Sequence, residues 1–269
     1  MAEIDTPIID FHCHLGRWGR PNIDDNIDRY LRTMDAAGVD KSCLNCIWFG
    51  AAKRGNNIVA SFVAQHPDRF IPVAFVTPHY LDEAMDELER CFGELGTKFL
   101  KIYPNYFGYN TDNYPPEQFF PIFEWCDDRG IAVMSHAYGP YLVLRTGWHI
   151  GLSTPPDNPN YVNLLDRFPN VKWVIGHKGG GPGQIPDASV EACKPLPNVW
   201  LETAASSSAA GAFEYVVNSV GPDRVIYGSD VPLFDQRNEV ARIATSDISD
   251  EAKKKILGLN AIHLHNLKI

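Results

Sequence analysis

The sequence predicts an α/β protein, a single (β/α)8 TIM barrel over residues 1–269, on three observations. Eight short apolar runs recur along the chain, with helical patterns between them. Several runs are entered through the same kind of turn: Pro67-Asp68, Pro169-Asn170, Pro197-Asn198 and Pro222-Asp223. Residues able to hold a metal sit where apolar runs end, the edge at which barrels of this kind carry their chemistry. The runs are apolar nearly throughout, as expected of parallel strands covered on both faces.

In chain order, the first strand is "PIIDFH" (7–12), and the helical "NIDRYLRTMDAAG" (26–38) follows it, closed by Gly38. The second strand is "KSCLNCIWF" (41–49). "FIPVAFV" (70–76), the third, follows Pro67, which cannot continue a helix and presets extended chain. "LDEAMDELERCFGELG" (81–96) has helical spacing and leads to the fourth strand, "KFLKIY" (98–103). A further helix, "PEQFFPIFEWCDDRG" (116–130), precedes the fifth strand, "IAVMSH" (131–136). The sixth, seventh and eighth are "VKWVIGH" (171–177), "NVWLET" (198–203) and "RVIYGSD" (224–230). A doubly wound open sheet is the alternative, but no G-x-G-x-x-G follows the first strand. The longest irregular stretches, about 103–115, 137–158 and 178–187, all follow strands and would form the rim of the site.

Composition narrows the function classes. With 45% hydrophobic and 21% charged residues the chain has the balance of a globular protein. A formal charge of −9, with 24 Lys and Arg scattered along the chain, argues against nucleic acid and anionic membranes as partners. No apolar stretch approaches the roughly 18 residues a membrane span needs. The acidic start "MAEIDTPIID" lacks a signal-peptide profile, and six dispersed cysteines fit reduced thiols, so the expected location is cytoplasmic. Cys43 and Cys46 form a lone C-x-x-C; on a strand they face opposite ways and share no ligand.

His12 and His14 are two residues apart, so on a strand both face one side, the barrel interior. Asp10 shares that parity and is expected to orient a ligand histidine. His136, His177 and Asp230 each end a later strand. Histidine nitrogens together with a carboxylate suit zinc, with manganese the alternative, and leave room for water. Incidental core histidines are the plain alternative for any one of these residues; five at the same edge are hard to explain that way.

These motifs resemble the amidohydrolase superfamily, and within it the amidohydrolase-related branch that includes aminocarboxymuconate semialdehyde decarboxylase. "IIDFHCH", "GTKFLKIYP", "GIAVMSHAYG", "VKWVIGHKGG", "DRVIYGSDVP" and "ILGLNAIHL" fall in the family's order. The resemblance implies that His12, His14, His136 and Asp230 hold one divalent metal. His177 and Asp230 would be the catalytic residues, His177 contacting metal-bound water or substrate and Asp230 carrying a proton. Lys101 would be a second-metal ligand, if carboxylated, or a substrate ligand. Asn260, in the closing helix, would be structural. Arg17, Trp48, Tyr103, Tyr138 and Glu202 are the substrate-binding candidates, with Glu202 also able to hold His177. The first expectation is a hydrolase of a small cyclic or carboxylated lactone, amide or ester. The alternatives are a decarboxylase or hydratase of an aromatic or muconate-type acid, and a non-catalytic barrel. A small-molecule substrate and a homodimer are the expected partners.

Overall fold

Pairing in the computed structural model runs in chain order around a closed parallel sheet. The structure describes residues 4–16, 26–47, 52–103, 116–135, 148–149, 162–163, 167–177, 190, 193–204, 210–265 and 267. The strands are β1 (Ile9–Leu15), β2 (Lys41–Cys46), β3 (Phe70–Pro72, continued by Ala74–Phe75) and β4 (Phe99–Ile102). They continue as β5 (Ala132–Ser135), β6 (Lys172–Ile175), β7 (Val199–Glu202) and β8 (Val225–Ile226). Each pairs in parallel with the next, β3 joining β2 through its first half and β4 through its second. Past β8 the chain meets β1: Phe11 N donates to Tyr227 O (3.0 Å), Asp230 N to His12 O (2.8 Å) and His14 N to Val231 O (2.7 Å). Closure leaves these eight strands without an open edge, and outside the barrel Trp148–His149 pairs with Val162–Asn163.

The helices α1 (Ile27–Ala37), α2 (Ala52–Gln65), α3 (Leu81–Gly93) and α4 (Phe120–Asp128) lie between the early strands. Later come α5 (Ala212–Val220), α6 (Gln236–Thr245), α7 (Asp250–Lys254) and α8 (Asn260–His265). Local chemistry sets the ends of α1: Asn26 accepts from Arg29 N, and Gly38 adopts φ 73°, the left-handed turn glycine takes without a Cβ penalty. Asp235 caps α6 in the same manner.

Two apolar layers result. Leu44, Leu100, Val133, Trp173 and Leu201 face outward and are buried with the helices, whereas Ile9, Phe11, Phe99, Met134, Val174 and Ile226 fill the interior. Ala261 and Leu264 of α8 join the interior group, and His265 stacks on Phe11 and Phe99 at centroid distances of 5.0 and 4.6 Å. The closing helix therefore plugs the amino-terminal end of the barrel. Cys43 and Cys46 fall in different layers, both buried.

Several expectations change in detail. β1 continues through His14 to Leu15, because the backbone past His12 bonds to the chain after β8. β8 covers only Val225–Ile226, and β2 ends at Cys46 rather than residue 49. The largest correction concerns Asp10. Register shifts between Asp10 and Cys13, so Phe11 and His12 both turn inward and Asp10 is left on the helix-facing side. A bulge of this kind breaks the period of two. Asp10 thus contacts neither imidazole ring through its side chain; its carboxylate accepts from the His12 backbone amide and from residues beyond β8.

Candidate active site

Carboxyl ends of β1, β4, β7 and β8 converge on one buried group. His12, His14 and Asp230 offer ligand atoms that lie within 4.8 Å of one another, all three residues buried. Asp230 Oδ1 is 2.7 Å from His14 Nε2 and 3.5 Å from His12 Nε2. Two residues at this edge depart from strand geometry, His177 at φ 66° and Asp230 at φ 62°. For a side chain other than glycine that conformation costs on the order of 1–2 kcal/mol and is held by its surroundings.

The imidazoles are oriented from behind. Asn45 Nδ2 donates to Cys13 O (2.9 Å), so its Oδ1 is the atom facing His14 Nδ1, at 2.8 Å. That assignment follows from the hydrogen-bond network. Glu202 Oε2 accepts from His12 Nδ1 at 2.9 Å. Both rings then carry their proton on Nδ1 and turn an Nε2 lone pair inward. Two imidazole lone pairs and one carboxylate oxygen are all acceptors, and acceptors brought this close fit a cation among them. The donor set suits a divalent metal ion.

Two further donors aim at the same lone pairs. Lys101 Nζ is 2.8 Å from His12 Nε2 and Tyr103 OH is 3.0 Å from His14 Nε2. Both side chains are buried, so Tyr103, a substrate-binding candidate from the sequence, belongs to the group itself. Burial lowers the Lys101 ammonium to about 7, against the pull of Asp230 and Glu202 in the other direction. For Asp230 burial acts upward, but its close contact with His14 and the positive charge of Lys101 outweigh it and hold the carboxyl below its ordinary value.

His177 donates from Nδ1 to Ala204 O at 3.2 Å, and its amide donates to Glu202 Oε2 at 3.1 Å. Burial pushes its imidazole down to about 4, with Asp230 opposing, so the ring is neutral at neutral pH. His12, His177 and Glu202 also lie within 4.8 Å of one another. Glu202, however, already receives His12 Nδ1 and the amides of His177 and Ala204. Burial raises its carboxyl well above the ordinary range, against Lys101. Room for Glu202 in the interior depends on Gly228, where an added Cβ would collide with Glu202 Oε1 and sit 2.7 Å from His12 Cβ.

Of the residues singled out from sequence, the structure brings together His12, His14, Lys101, Tyr103, His177, Glu202 and Asp230. His136, Arg17, Trp48 and Tyr138 lie outside the described residues. Asn45 was not anticipated. The signal was present: one amide in the middle of the apolar run "KSCLNCIWF", and a buried amide on a strand covered on both faces needs partners.

Comparison with known proteins adds the chemistry of relatives. The chain is 26% identical to a 2-amino-3-carboxymuconate-6-semialdehyde decarboxylase of Dictyostelium discoideum, over 79% of this chain and 65% of that protein. It therefore spans about two thirds of that relative's length. A gamma-resorcylate decarboxylase of Polaromonas is 24% identical, with 92% of this chain and 90% of the relative covered. Among solved structures, a manganese-bound 5-carboxyvanillate decarboxylase of Novosphingobium aromaticivorans superposes with a TM-score of 0.76 at 19% identity, covering 99% of each chain. A 2,6-dihydroxybenzoate decarboxylase complexed with 2,6-dihydroxybenzoate gives 0.75 at 17%, over 97% and 100%. Likeness at that identity establishes the barrel fold. These relatives correct the first functional expectation: they are named as decarboxylases, not as hydrolases of lactones, amides or esters. Sequence motifs favoured neither, because one metal shell can activate water or anchor a carboxylate. Among the described residues, no helix is long and apolar enough to cross a membrane. An amidohydrolase family model matches residues 9–267, from the strand that carries His12 and His14 to the helix that closes the barrel, and the chain is thus an enzyme of the amidohydrolase superfamily.

Proposed function

We propose that this enzyme is a metal-dependent, non-oxidative decarboxylase of a carboxylated aromatic or muconate-type acid, built as one barrel domain over residues 1–269. The observation that carries the reading is the decarboxylase named in each relative above, joined to an inward-facing His12, His14 and Asp230 group in this chain. His12, His14 and Asp230, with His136 as a fourth ligand, would hold one divalent ion, zinc or manganese. When bound, that ion supplies a Lewis acid that anchors an anionic substrate.

The chain's own residues supply the rest. Loss of carbon dioxide leaves an electron pair on the substrate carbon, and one proton must take its place. Asp230, a carboxylate at rest, would take that proton from solvent water and pass it to the carbon, ending as a carboxylate again. Neutral His177, with its proton committed to Ala204 O, accepts at Nε2 from a substrate hydroxyl. Lys101 provides positive charge at the floor of the site for the substrate carboxylate, in surroundings where burial strengthens such contacts. Arg17, Trp48, Tyr138 and the outer loops would complete the substrate contacts.

The test is carbon dioxide release from a panel of 2,6-dihydroxybenzoate, 5-carboxyvanillate and aminocarboxymuconate semialdehyde, with zinc or manganese added to metal-stripped protein. Release that depends on metal is expected from at least one. Absence of release from all three at saturating metal would remove the reading.

A further inference from the structure

A buried carboxylate outside the metal group ties both halves of that group together. Asp10 is fully buried on the side of β1 away from the imidazole rings. Its Oδ1 accepts from Ser229 N (3.0 Å) and His12 N (3.3 Å), and its Oδ2 from Ser229 Oγ (2.6 Å), Gln236 Nε2 (2.7 Å) and Tyr227 OH (3.4 Å). Ser229 Oγ in turn accepts from Val231 N at 3.0 Å. Residues on both sides of Asp230 are therefore fixed through one carboxylate, while Asp230 N donates to His12 O. Asp230 itself stands at φ 62°, a conformation that needs such restraint.

We propose that Asp10, acting through Ser229, is a positioning residue that sets the Asp230 carboxylate against His12 and His14. It reaches the backbone of one ligand on β1 and brackets another after β8, and it touches neither ligand side chain. One side chain accepting from β1, the chain after β8 and α6 through two oxygens ties three segments together, which an amide with a single acceptor oxygen could not match. The network also explains why the β1 bulge matters: without the register shift Asp10 would share the inward face of His12 and could not reach Ser229.

This inference rests on the metal-centre reading of the site. Cobalt(II), titrated into metal-stripped protein, serves as the probe, with dissociation constant and visible d–d bands as readouts and melting temperature beside them. Ser229→Ala, the milder change, is expected to weaken cobalt binding about ten-fold and to shift the bands, the size typical of groups that orient ligands. Asp10→Asn should do the same or more. Asn260→Ala, a buried hydrogen-bonding change far from the site, serves as the control, with a lower melting temperature and wild-type bands. Affinity and bands unchanged in Ser229→Ala and Asp10→Asn, with only melting temperature lowered, would overturn the inference alone. Wild-type protein that takes up no cobalt would overturn the metal reading and this inference with it.

Discussion

At the scale of single residues, the site separates side chains that face a reacting centre from those that aim them. Asn45 holds His14 by its Nδ1 and Glu202 holds His12 by the same atom, so each histidine has a determined tautomer. His177 differs, because its Nδ1 is held by the Ala204 carbonyl and its amide by Glu202. The two kinds of residue should therefore fail differently. Asn45→Ala is expected to raise the metal dissociation constant about ten-fold, since the imidazole proposed as a ligand loses its partner. His177→Asn should keep about one equivalent of metal while losing on the order of a hundred-fold or more in turnover, the scale of removing a proton-handling group. Metal analysis beside steady-state rates decides; loss of metal from His177→Asn would make it a ligand. Histidine positions were legible in the sequence because each ends an apolar run. The partner that Asn45 finds and the outward turn of Asp10 were not, because both depend on which strand lies next door.

Among the elements, the closing helix does more than end the chain. Asn260, at the start of α8, donates from Nδ2 to Pro222 O (2.7 Å) and Val225 O (2.8 Å), joining the plug to the entry of β8. A merely structural role for this residue was expected from the resemblance, and these bonds give its mechanism. Asn260→Ala leaves two carbonyls without that donor, which costs about 1–3 kcal/mol for a buried group. Denaturant midpoints should fall accordingly with the slope unchanged; an unchanged midpoint would mean that water replaces the amide without loss. Strand order and helix positions follow from pattern and turn residues. Their lengths do not: β1 gains three residues through pairing beyond β8, and β3 breaks where Val73 N bonds to Leu44 O at 2.9 Å.

For the whole molecule, the apolar plug and the proposed metal centre sit at opposite ends of the barrel. The amino-terminal plug stacks His265 on Phe11 and Phe99, with its Nε2 buried and, among the described residues, without a hydrogen-bond partner. Burial, aided by Lys172 and Lys98, lowers this imidazole from 6.5 to about 3. A base whose folded value lies below its unfolded one binds more protons when unfolded. Its contribution to stability is then fully present above pH 6.5 and is lost as pH falls toward 3. His265→Phe keeps an aromatic ring and removes the titration, so the acid side of the stability profile should flatten by roughly a few kcal/mol. Unfolding by denaturant at several pH values measures it, and parallel profiles for the two proteins would exclude the plug as the acid-sensitive part. Metal affinity should stay unchanged in that variant, since the plug lies at the far end from Asp230.

By itself the sequence determined the architecture and the identity of the chemical groups: eight apolar runs give the barrel, and the residues that end them give the imidazoles and the carboxylate. These are local facts, carried by periodicity, turn residues and position along a strand. Tertiary structure alone decided which atoms of those groups meet. A one-residue bulge in β1 turned Asp10 away from the histidines and toward Ser229, and Asn45 and Glu202 arrived behind His14 and His12 from strands distant in the chain. Contacts of that kind depend on register across a closed sheet, and register is a property of paired strands rather than of any one of them.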